Sequence, residues 1–182
     1  MMSATPLPAL LGPHVLLRAM RPSDITEQHV AWLNDPEVVR HSNQRFVHHT
    51  QDSSLRYLQS FEGSANLYTS VRLAADDRAI GTLTAYRNLH HGTADIGILM
   101  GDRSCWGQGL GQEAFQLLAD WLALQPGARK LTCGMLASNH GMLKIAQRAG
   151  FTREAVRVAQ ELVDGQPTDI VLFARFVHAP TI

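Results

Sequence analysis

Three consecutive segments in the first half of the chain carry apolar residues at the short spacing that is typical of β-strands. They cover residues 67–74, 79–86 and 94–100. Asp76-Asp77 separates the first two segments, and His90-His91-Gly92 separates the last two. Both separators are typical of turns. The pattern therefore predicts three antiparallel strands that follow one another as a meander.

The clearest helical pattern lies in the second half of the chain. Six apolar side chains recur there at helical spacing: Leu110, Ala114, Leu117, Leu118, Trp121 and Leu122. Pro126-Gly127 ends this helix, and a second helix over residues 139–149 ends at Gly150. A strand over residues 130–136 lies between the two helices. With the strand over residues 94–100 it predicts a β-α-β unit whose two strands are adjacent and parallel.

The start of the chain is less regular. Residues 1–13 contain three prolines, and we expect them to be a flexible lead-in to a single domain over residues 14–182. Residues 15–17 predict a short strand. Ser23 or Asp24 is the expected N-cap of a helix that reaches Leu33.

Two further segments complete the pattern. Residues 40–50 are polar without periodicity and predict a loop, after which Thr50 caps a helix that ends at Gly63. Near the other end of the chain, Asp164-Gly165 is a strong signal for a β-hairpin. The elements together predict one mixed α/β domain.

Composition excludes several classes of protein. Sixteen basic residues balance sixteen acidic ones in 182 residues, so the basic excess of a nucleic-acid-binding protein is absent. A hydrophobic content of 45% excludes a disordered chain. No apolar run is long enough to span a bilayer, and the start lacks the basic residues of a signal peptide. Two cysteines form neither a disulfide framework nor a zinc motif, so we expect a cytoplasmic protein without a metal.

The segment between the third strand and the first long helix carries the candidate chemistry. Gly107, Gly109 and Gly111 alternate just before the helix begins. Glycines allow a ligand to approach the backbone, and a helix N-terminus presents free N–H groups, so the segment is a candidate diphosphate site. It matches neither a Walker loop nor a dinucleotide-binding loop. The alternative is that the glycines only allow close packing of the helix on a strand.

Two stretches, WGQGLGQEA at residues 106–114 and SNHGMLKIAQRAGF at residues 138–151, resemble the acyl-CoA-binding signature of the GNAT acetyltransferase superfamily. The similarity is greatest to its RimJ/RimL-type group, whose first strand and helix also resemble LLRAMRPSD and WLNDPEV in this chain. The resemblance implies a central, mostly antiparallel α+β sheet of about seven strands with flanking helices. It also implies acetyl-CoA as the cofactor.

The resemblance assigns cofactor contacts along the central segment. The main-chain groups of Ile98, Leu99 and Met100 would pair with pantetheine, and the amide of Leu99 or Met100 would face the thioester oxygen. The loop and helix start would hold the pyrophosphate through Trp106, Gly107, Gln108, Gly109, Leu110, Gly111 and Gln112. Trp106 stands where the superfamily usually has Gln or Arg.

The resemblance also places the following helix against the cofactor. Asn139 would meet pantetheine, although a helix N-cap is an equally simple role for this residue. Lys144 is a candidate for the 3′-phosphate, with a solvated basic face as the alternative. The superfamily's usual Tyr general acid is replaced by Ala146. Water or the hydroxyl of Ser138 would then protonate the leaving thiolate.

Transfer of an acetyl group requires an uncharged amine, and therefore a base or a site that lowers the pKa of the amine. Asp95 resembles the acid at the matching place in RimJ/RimL-type enzymes and is our candidate base. Its alternative role is that of a structural carboxylate.

Acceptor contacts are expected in the polar loop between the first two helices. The candidates there are His41, Ser42, Asn43 and Gln44, with Tyr86 on a neighbouring strand. Such hydrogen-bonding side chains suit a hydroxyl-rich acceptor. The adjacent histidine pairs point to opposite sides of the chain and predict no metal site.

Three functions remain as hypotheses. The first is acetyl-CoA-dependent N-acetylation of a primary amine on a small molecule, such as an amino sugar or a sugar nucleotide. The second is acetylation of protein N-termini, as in RimJ/RimL-type enzymes. The third is a non-catalytic acyl-CoA-binding module, because the usual Tyr is absent. We expect no nucleic-acid or membrane partner, and a homodimer is left open.

Overall fold

A computed structural model describes residues 5–177 of the chain, and within them eight strands form a single mixed sheet. The strands are β1 Leu10–Leu11, β2 Val15–Ala19, β3 Leu67–Leu73, β4 Ala79–Asn88, β5 Thr93–Met100, β6 Lys130–Leu136, β7 Thr152–Val163 and β8 Gln166–Phe176. The helices are α1 Glu27–Asn34, α2 Pro36–Val39, α3 Gln51–Gln59, α4 Leu110–Ala123 and α5 His140–Arg148. The strand order across the sheet is β1-β2-β3-β4-β5-β6-β8-β7.

The mixed α/β fold and the antiparallel meander of β3, β4 and β5 confirm the sequence prediction. The sheet has eight strands rather than about seven. The additional strand lies inside the expected lead-in, where Leu10 and Leu11 pair with β2. The backbone N–H of Gly12 donates to the carbonyl of Val15, which folds this segment back onto β2.

The start of the first helix also differs from the prediction. Ser23 and Asp24 lie in a short 3₁₀ turn, and α1 begins two residues later with Thr26 as its N-cap. The Asp24 carboxylate accepts hydrogen bonds from Arg18 and from the N–H of Arg21 instead of capping a long helix. The expected loop over residues 40–50 contains a second 3₁₀ turn, Asn43–Phe46.

The parallel pairing of β5 with β6 is confirmed, but it is short. Only three residue pairs are in register, and the last of them is Asp95 with Thr132. Beyond that point β5 stays with β4 as far as Met100, whereas β6 stays with β8 as far as Leu136. The two central strands therefore separate and leave a gap in the middle of the sheet.

Helices cover both faces of the sheet. The long helix α4 packs its buried Phe115 and Leu118 against the face that includes Leu83 and Leu131. The first helices cover the other face, where Trp32 lies against the end of β5. A Cβ atom added at Gly101 would lie only 2.1 Å from the Trp32 ring, so this close approach requires glycine.

Candidate active site

A cleft opens where β5 and β6 separate. We call it the β5 cleft, and its volume is about 610 Å³. The end of β5, the glycine loop, α2 and one side of α5 form its walls. The cofactor contacts expected from the sequence that line it are Ile98, Leu99, Met100, Trp106, Gly107, Gly109, Leu110, Gly111, Gln112, Asn139 and Lys144. The structure thus brings together residues that lie far apart in the sequence.

The glycine loop presents its backbone to this cleft. Gly107 and Gly109 have positive φ angles of 75° and 81°, which other residues rarely adopt. Gly109 is the N-cap of α4. Because glycine has no side chain that could accept a hydrogen bond, the first N–H groups of α4 have no capping partner. Free N–H groups at a helix N-terminus are suited to a phosphate.

Gly111 has a different role in the same loop. A Cβ atom there would lie 3.2 Å from Cγ of Met100 and 3.7 Å from Cδ1 of Ile145. At Gly107 and Gly109 an added Cβ would meet nothing within 4 Å. Close helix packing therefore explains Gly111 but not the other two glycines.

The side chains of the loop hold it to its surroundings. Nε1 of Trp106 donates a hydrogen bond of 2.9 Å to the carbonyl of Met100, so the residue that replaces the usual Gln or Arg ties the loop to β5. Gln108 donates to the carbonyl of Ser104. Gln112 donates to the carbonyl of Ile145, and its buried Oε1 has no hydrogen-bond partner in the described structure. Gln112 itself is one of the residues that line the β5 cleft.

Main-chain groups at the end of β5 face the gap between the strands. The carbonyl of Leu99 lies on the β4 side, because it is the nearest atom to a Cβ built on Gly81. Alternate residues of a strand direct their N–H and C=O groups to opposite edges, so those of Ile98 and Met100 point toward the gap. Of the three residues expected to pair with pantetheine, Ile98 and Met100 are therefore placed to do so.

Helix α5 forms the opposite wall. Oδ1 of Asn139 accepts the N–H of Met142 at 3.1 Å, so Asn139 is the N-cap of α5 as well as a lining residue of the cleft. Lys144 and Arg148 contribute positive charge to the same wall. Ala146, at the position of the missing Tyr, is fully buried in the core.

A second cavity of about 800 Å³ adjoins the β5 cleft. We call it the α2 cavity, because α2 and the segment after it form one wall, while Ser138 and the tip of the β7–β8 hairpin form the other. Three residues line both spaces: Glu37, Arg40 and His41. We refer to these three as the junction. A molecule bound in the β5 cleft and a molecule bound in the α2 cavity would be in contact at the junction.

Comparison with known proteins identifies this arrangement. A family model described as an acetyltransferase (GNAT) domain matches residues 14–152. The chain belongs to the GNAT acetyltransferase family. The family assigns acetyl-CoA as the acetyl donor and N-acetyl transfer as the reaction class. The free N–H groups, the positive wall and the unpaired main chain of the β5 cleft fit this donor.

Known relatives agree with the family assignment. The chain is 25% identical over 111 residues to the "Probable N-acetyltransferase YjcK" of Bacillus subtilis (strain 168). That match covers 60% of the chain and 61% of the relative, so the chain spans less than two thirds of this protein's length.

Solved GNAT structures share the fold. The ribosomal-protein acetyltransferase RimL in complex with coenzyme A has a TM-score of 0.82 at 19% identity, covering 95% of this chain and all of that one. Spermidine N-acetyltransferase from Vibrio cholerae, in complex with coenzyme A and spermine, has a TM-score of 0.79 at 16% identity. That match covers 89% of this chain and 95% of the other.

The expected acceptor residues of this GNAT chain fall into two groups. His41 and Gln44 line the α2 cavity. Ser42 accepts the N–H of Gln44 through its hydroxyl and so caps the 3₁₀ turn, although it also lines the β5 cleft. Asn43 donates to Oε1 of Glu161 on β7, outside the lining of both spaces. Its role in the structure is to hold the loop to the hairpin.

Arg45 strengthens the same attachment. It donates to the carbonyls of Ser42 and Leu162, and its guanidinium lies 3.8 Å from the Glu161 carboxylate. We call the contacts of Asn43 and Arg45 with residues 161–162 the hairpin clasp. The clasp joins the segment after α2 to the β7–β8 hairpin, and these form the two walls of the α2 cavity.

Tyr86 and Asp95 lie elsewhere. They face each other across β4 and β5, at the end where β5 and β6 are still paired, and neither lines the β5 cleft or the α2 cavity. The hydroxyl of Tyr86 is hydrogen-bonded to Tyr57. Asp95 accepts a hydrogen bond of 2.6 Å from Thr132. Desolvation raises the pKa of Asp95, and this hydrogen bond opposes the rise.

The geometry of Asp95 supports its structural role. Leu99 is four residues further along β5, which corresponds to roughly 13 Å in an extended strand. The carboxylate is therefore remote from the end of β5 that lines the β5 cleft. It satisfies Thr132 at the last pair of the β5–β6 ladder.

The residues that sequence reasoning missed are Glu37 and Arg40. Both lie in the first turns after Pro36, in the stretch WLNDPEV and the residues that follow it. Their spacing of three residues on a helical turn was the available signal, because such residues face the same side. Oε2 of Glu37 lies 3.5 Å from Nη1 of Arg40.

Two further observations concern metals and membranes. Within residues 5–177, no three His, Cys, Asp or Glu side chains come together in a way that would hold a metal ion. In the same part of the chain, no helix has the length and apolar character needed to cross a bilayer.

Proposed function

We propose that this GNAT domain transfers the acetyl group of acetyl-CoA directly to the primary amine of a small molecule. The observation that carries the proposal is the contact between the two spaces at Glu37, Arg40 and His41. A protein that only binds acyl-CoA needs the β5 cleft and no second cavity beside it. A direct transfer needs both, since donor and acceptor must be in contact.

The size of the α2 cavity supports a small acceptor. Its volume of about 800 Å³ lies within the range of small-molecule sites in proteins. The hairpin clasp ties residues 43–45 to residues 161–162. This attachment opposes the separation of the two walls that a bulky peptide acceptor would require.

The lining of the α2 cavity supports a polar acceptor such as an amino sugar or a sugar nucleotide. Hydrogen-bonding side chains from Gln44, His48 and Ser138 surround it, and Asp164 adds a carboxylate. A site built from such groups rejects analogues that lack the matching hydroxyls, because its polar groups would then stay unpaired.

Main-chain donors at the end of β5 supply the second requirement of the reaction. The developing negative charge on the carbonyl oxygen needs a fixed hydrogen-bond donor. The N–H groups of Ile98 and Met100 point to the gap between the strands and fulfil this role. The carbonyl of Met100 is already paired with Trp106, which fixes the position of the strand end.

A turnover assay with a panel of amines tests the proposal. Acetyl-CoA would be incubated with glucosamine, a uridine-diphosphate amino sugar, spermidine and a peptide with a free N-terminus, and the released thiol and the product mass measured. We expect acetylation of the amino sugars and none of the peptide. Turnover of the peptide alone would favour protein N-terminal acetylation. Tight coenzyme A binding without turnover of any amine would show a binding module.

A further inference from the structure

His41 occupies the place where the two spaces join. It lies directly after α2, and it lines both the β5 cleft and the α2 cavity. Among the histidines of residues 5–177, it is the one that does so. We propose that His41 is the base that accepts the proton of the acceptor ammonium. This inference rests on the proposed acetyl transfer and adds a catalytic residue to it.

The contacts of the ring show which nitrogen is available. Nε of Arg40 lies 3.4 Å from Nε2 of His41, in the direction of a hydrogen bond that Arg40 donates. An arginine donates and never accepts, so the lone pair of the neutral ring is on Nε2. The long distance marks a weak bond that an incoming cation can replace. The guanidinium thus stands where the ammonium group of an acceptor would bind.

If the Arg40 guanidinium moves away from the His41 ring, Glu37 remains as its partner. Its Nη1 lies 3.5 Å from Oε2 of Glu37, and both side chains are more than half exposed. The displaced guanidinium can therefore keep its charge paired with Glu37. Because Glu37 faces Arg40 and solvent, it is occupied as an ion-pair partner, and the imidazole is the neutral acceptor at the junction.

The surrounding charges keep the imidazole neutral. Burial lowers the pKa of His41, and the neighbouring Arg40, Arg45 and His140 lower it further, while Glu37 opposes them. Other titratable groups lie on the walls of the two spaces: Lys144 and Arg148 on α5, His48 after the 3₁₀ turn, and Asp164 at the hairpin tip. An uncharged ring at neutral pH is ready to accept a proton.

The proton and electron balance of the step is simple. The ammonium gives one proton to Nε2 of His41, and the lone pair left on nitrogen forms the C–N bond at the thioester carbon. The C–S bonding pair leaves with sulfur. The departing thiolate takes the second nitrogen proton, and His41 returns its proton to solvent. The net change converts an ammonium and a thioester into an amide, a thiol and one proton.

The test compares pH profiles of kcat/KM with acetyl-CoA and glucosamine, or whichever amine of the panel is turned over fastest. In the wild type we expect an acid limb with a midpoint below about 6.5, the ordinary value for histidine. His41→Gln should lose the limb and about a hundredfold or more in kcat. His90→Gln, on the exposed turn between β4 and β5, is the matched control and should match the wild type.

A second variant keeps the test independent of any folding defect in His41→Gln. Arg40→Gln removes a positive charge beside the ring, so the acid limb should move to higher pH. An unmoved limb in Arg40→Gln, or a His41→Gln enzyme within about threefold of the wild type at all pH values, overturns the role of His41 while leaving the acetyl transfer intact. A wild-type protein that acetylates no amine overturns both.

Discussion

At the scale of single residues, Gly109 determines how the chain meets its donor. Its φ of 81° turns the backbone so that the first N–H groups of α4 face the β5 cleft. An added Cβ would meet no protein atom within 4 Å, so a side chain there would project into open space. The glycine is needed for its conformation and for the ligand, and not for packing against the protein.

Gly109→Val should therefore raise the Kd for coenzyme A by about tenfold or more, as measured by calorimetry. Gly63→Val is the matched control, because Gly63 also has a positive φ and open surroundings but lies in the turn after α3. Both variants should lose about 1–2 kcal/mol of stability from backbone strain. An equal Kd for the two variants would contradict the role of Gly109.

Asp95 gives a prediction that separates its two roles. Asp95→Asn keeps an acceptor for Thr132, and we expect kcat/KM to stay within about threefold of the wild type. A large loss of kcat/KM confined to neutral pH would show instead that Asp95 is the catalytic base. The expected result follows from its position at the paired end of β5, outside both cavities.

The stability of the same variant has a defined pH dependence. Desolvation raises the pKa of Asp95 in the folded chain, so its protonated form favours folding, and that contribution is lost as the pH rises above the ordinary carboxyl range near 4. Asp95→Asn should therefore gain stability relative to the wild type between about pH 4 and neutral pH, and the gain should be small because Asp95 keeps an exposed surface. Urea unfolding at the two pH values measures the difference.

At the scale of elements, Asp24 joins β2, β3 and the 3₁₀ turn at residues 22–24. Its carboxylate is 6% exposed and contacts both Arg18 and Arg72. Burial alone would raise the pKa of Asp24, but hydrogen bonds from Arg18 and from the N–H of Arg21, with the charges of both arginines, hold it below its ordinary value.

Asp24→Asn should cost about 3 kcal/mol of unfolding free energy at pH 7, because it leaves the largely buried Arg18 without its carboxylate partner and removes one of the two carboxylates that contact Arg72. Asp77→Asn is the control, since Asp77 also contacts Arg72 but its side chain is 61% exposed, and it should cost less than about 1 kcal/mol. The stabilisation by Asp24 is present above its unfolded pKa near 4 and is lost as the pH falls below it. Similar losses in the two variants at pH 7 would contradict this account.

Sequence patterns predict the elements well where local signals agree. The strand at residues 130–136, the capped helix α5 and the hairpin at Asp164-Gly165 appear as expected. The predicted start of α1 was wrong, because Asp24 is held by Arg18 and by the distant Arg72, and a local cap signal contains neither contact. The separation of β5 from β6 depends on how far β6 pairs with β8 instead. That pairing joins residues that are distant in the sequence, so no local pattern predicts it.

The candidate site likewise contains residues that the local sequence predicts and residues that it does not. The glycine loop was visible in the sequence, since its function depends on consecutive backbone positions. Of the junction, only His41 was a candidate in the sequence, because Glu37 and Arg40 lie beside two cavities that form only when α2 packs beside the end of β5. Asn43 looked like an acceptor contact, but its partner Glu161 is 118 residues away.

At the scale of the whole molecule, a formal net charge of zero accompanies a donor that carries several negative charges. The chain has no overall positive field, so binding relies on N–H groups at residues 107–111 and on the local charges of Lys144 and Arg148. Salt screens contacts at hydrogen-bond distance much less than it screens the attraction between charges that are far apart.

The Kd for coenzyme A should therefore rise by less than about tenfold when NaCl is increased from roughly 0.1 to 1 M, over which the Debye length falls from about 10 to 3 Å. Calorimetric titrations at several salt concentrations measure the slope. A rise of a hundredfold or more in the Kd would show that attraction between separated charges dominates. Lys144 and Arg148, and not the glycine loop, would then contribute most of the binding.

The most direct test of the central claim is a crystal structure of the chain with coenzyme A bound. The account predicts the pyrophosphate on the N–H groups of residues 107–111 and pantetheine along Ile98 and Met100. It places the sulfur at the junction of Glu37, Arg40 and His41, facing the α2 cavity. A sulfur atom directed away from this junction, with the α2 cavity unreachable from it, would contradict the account.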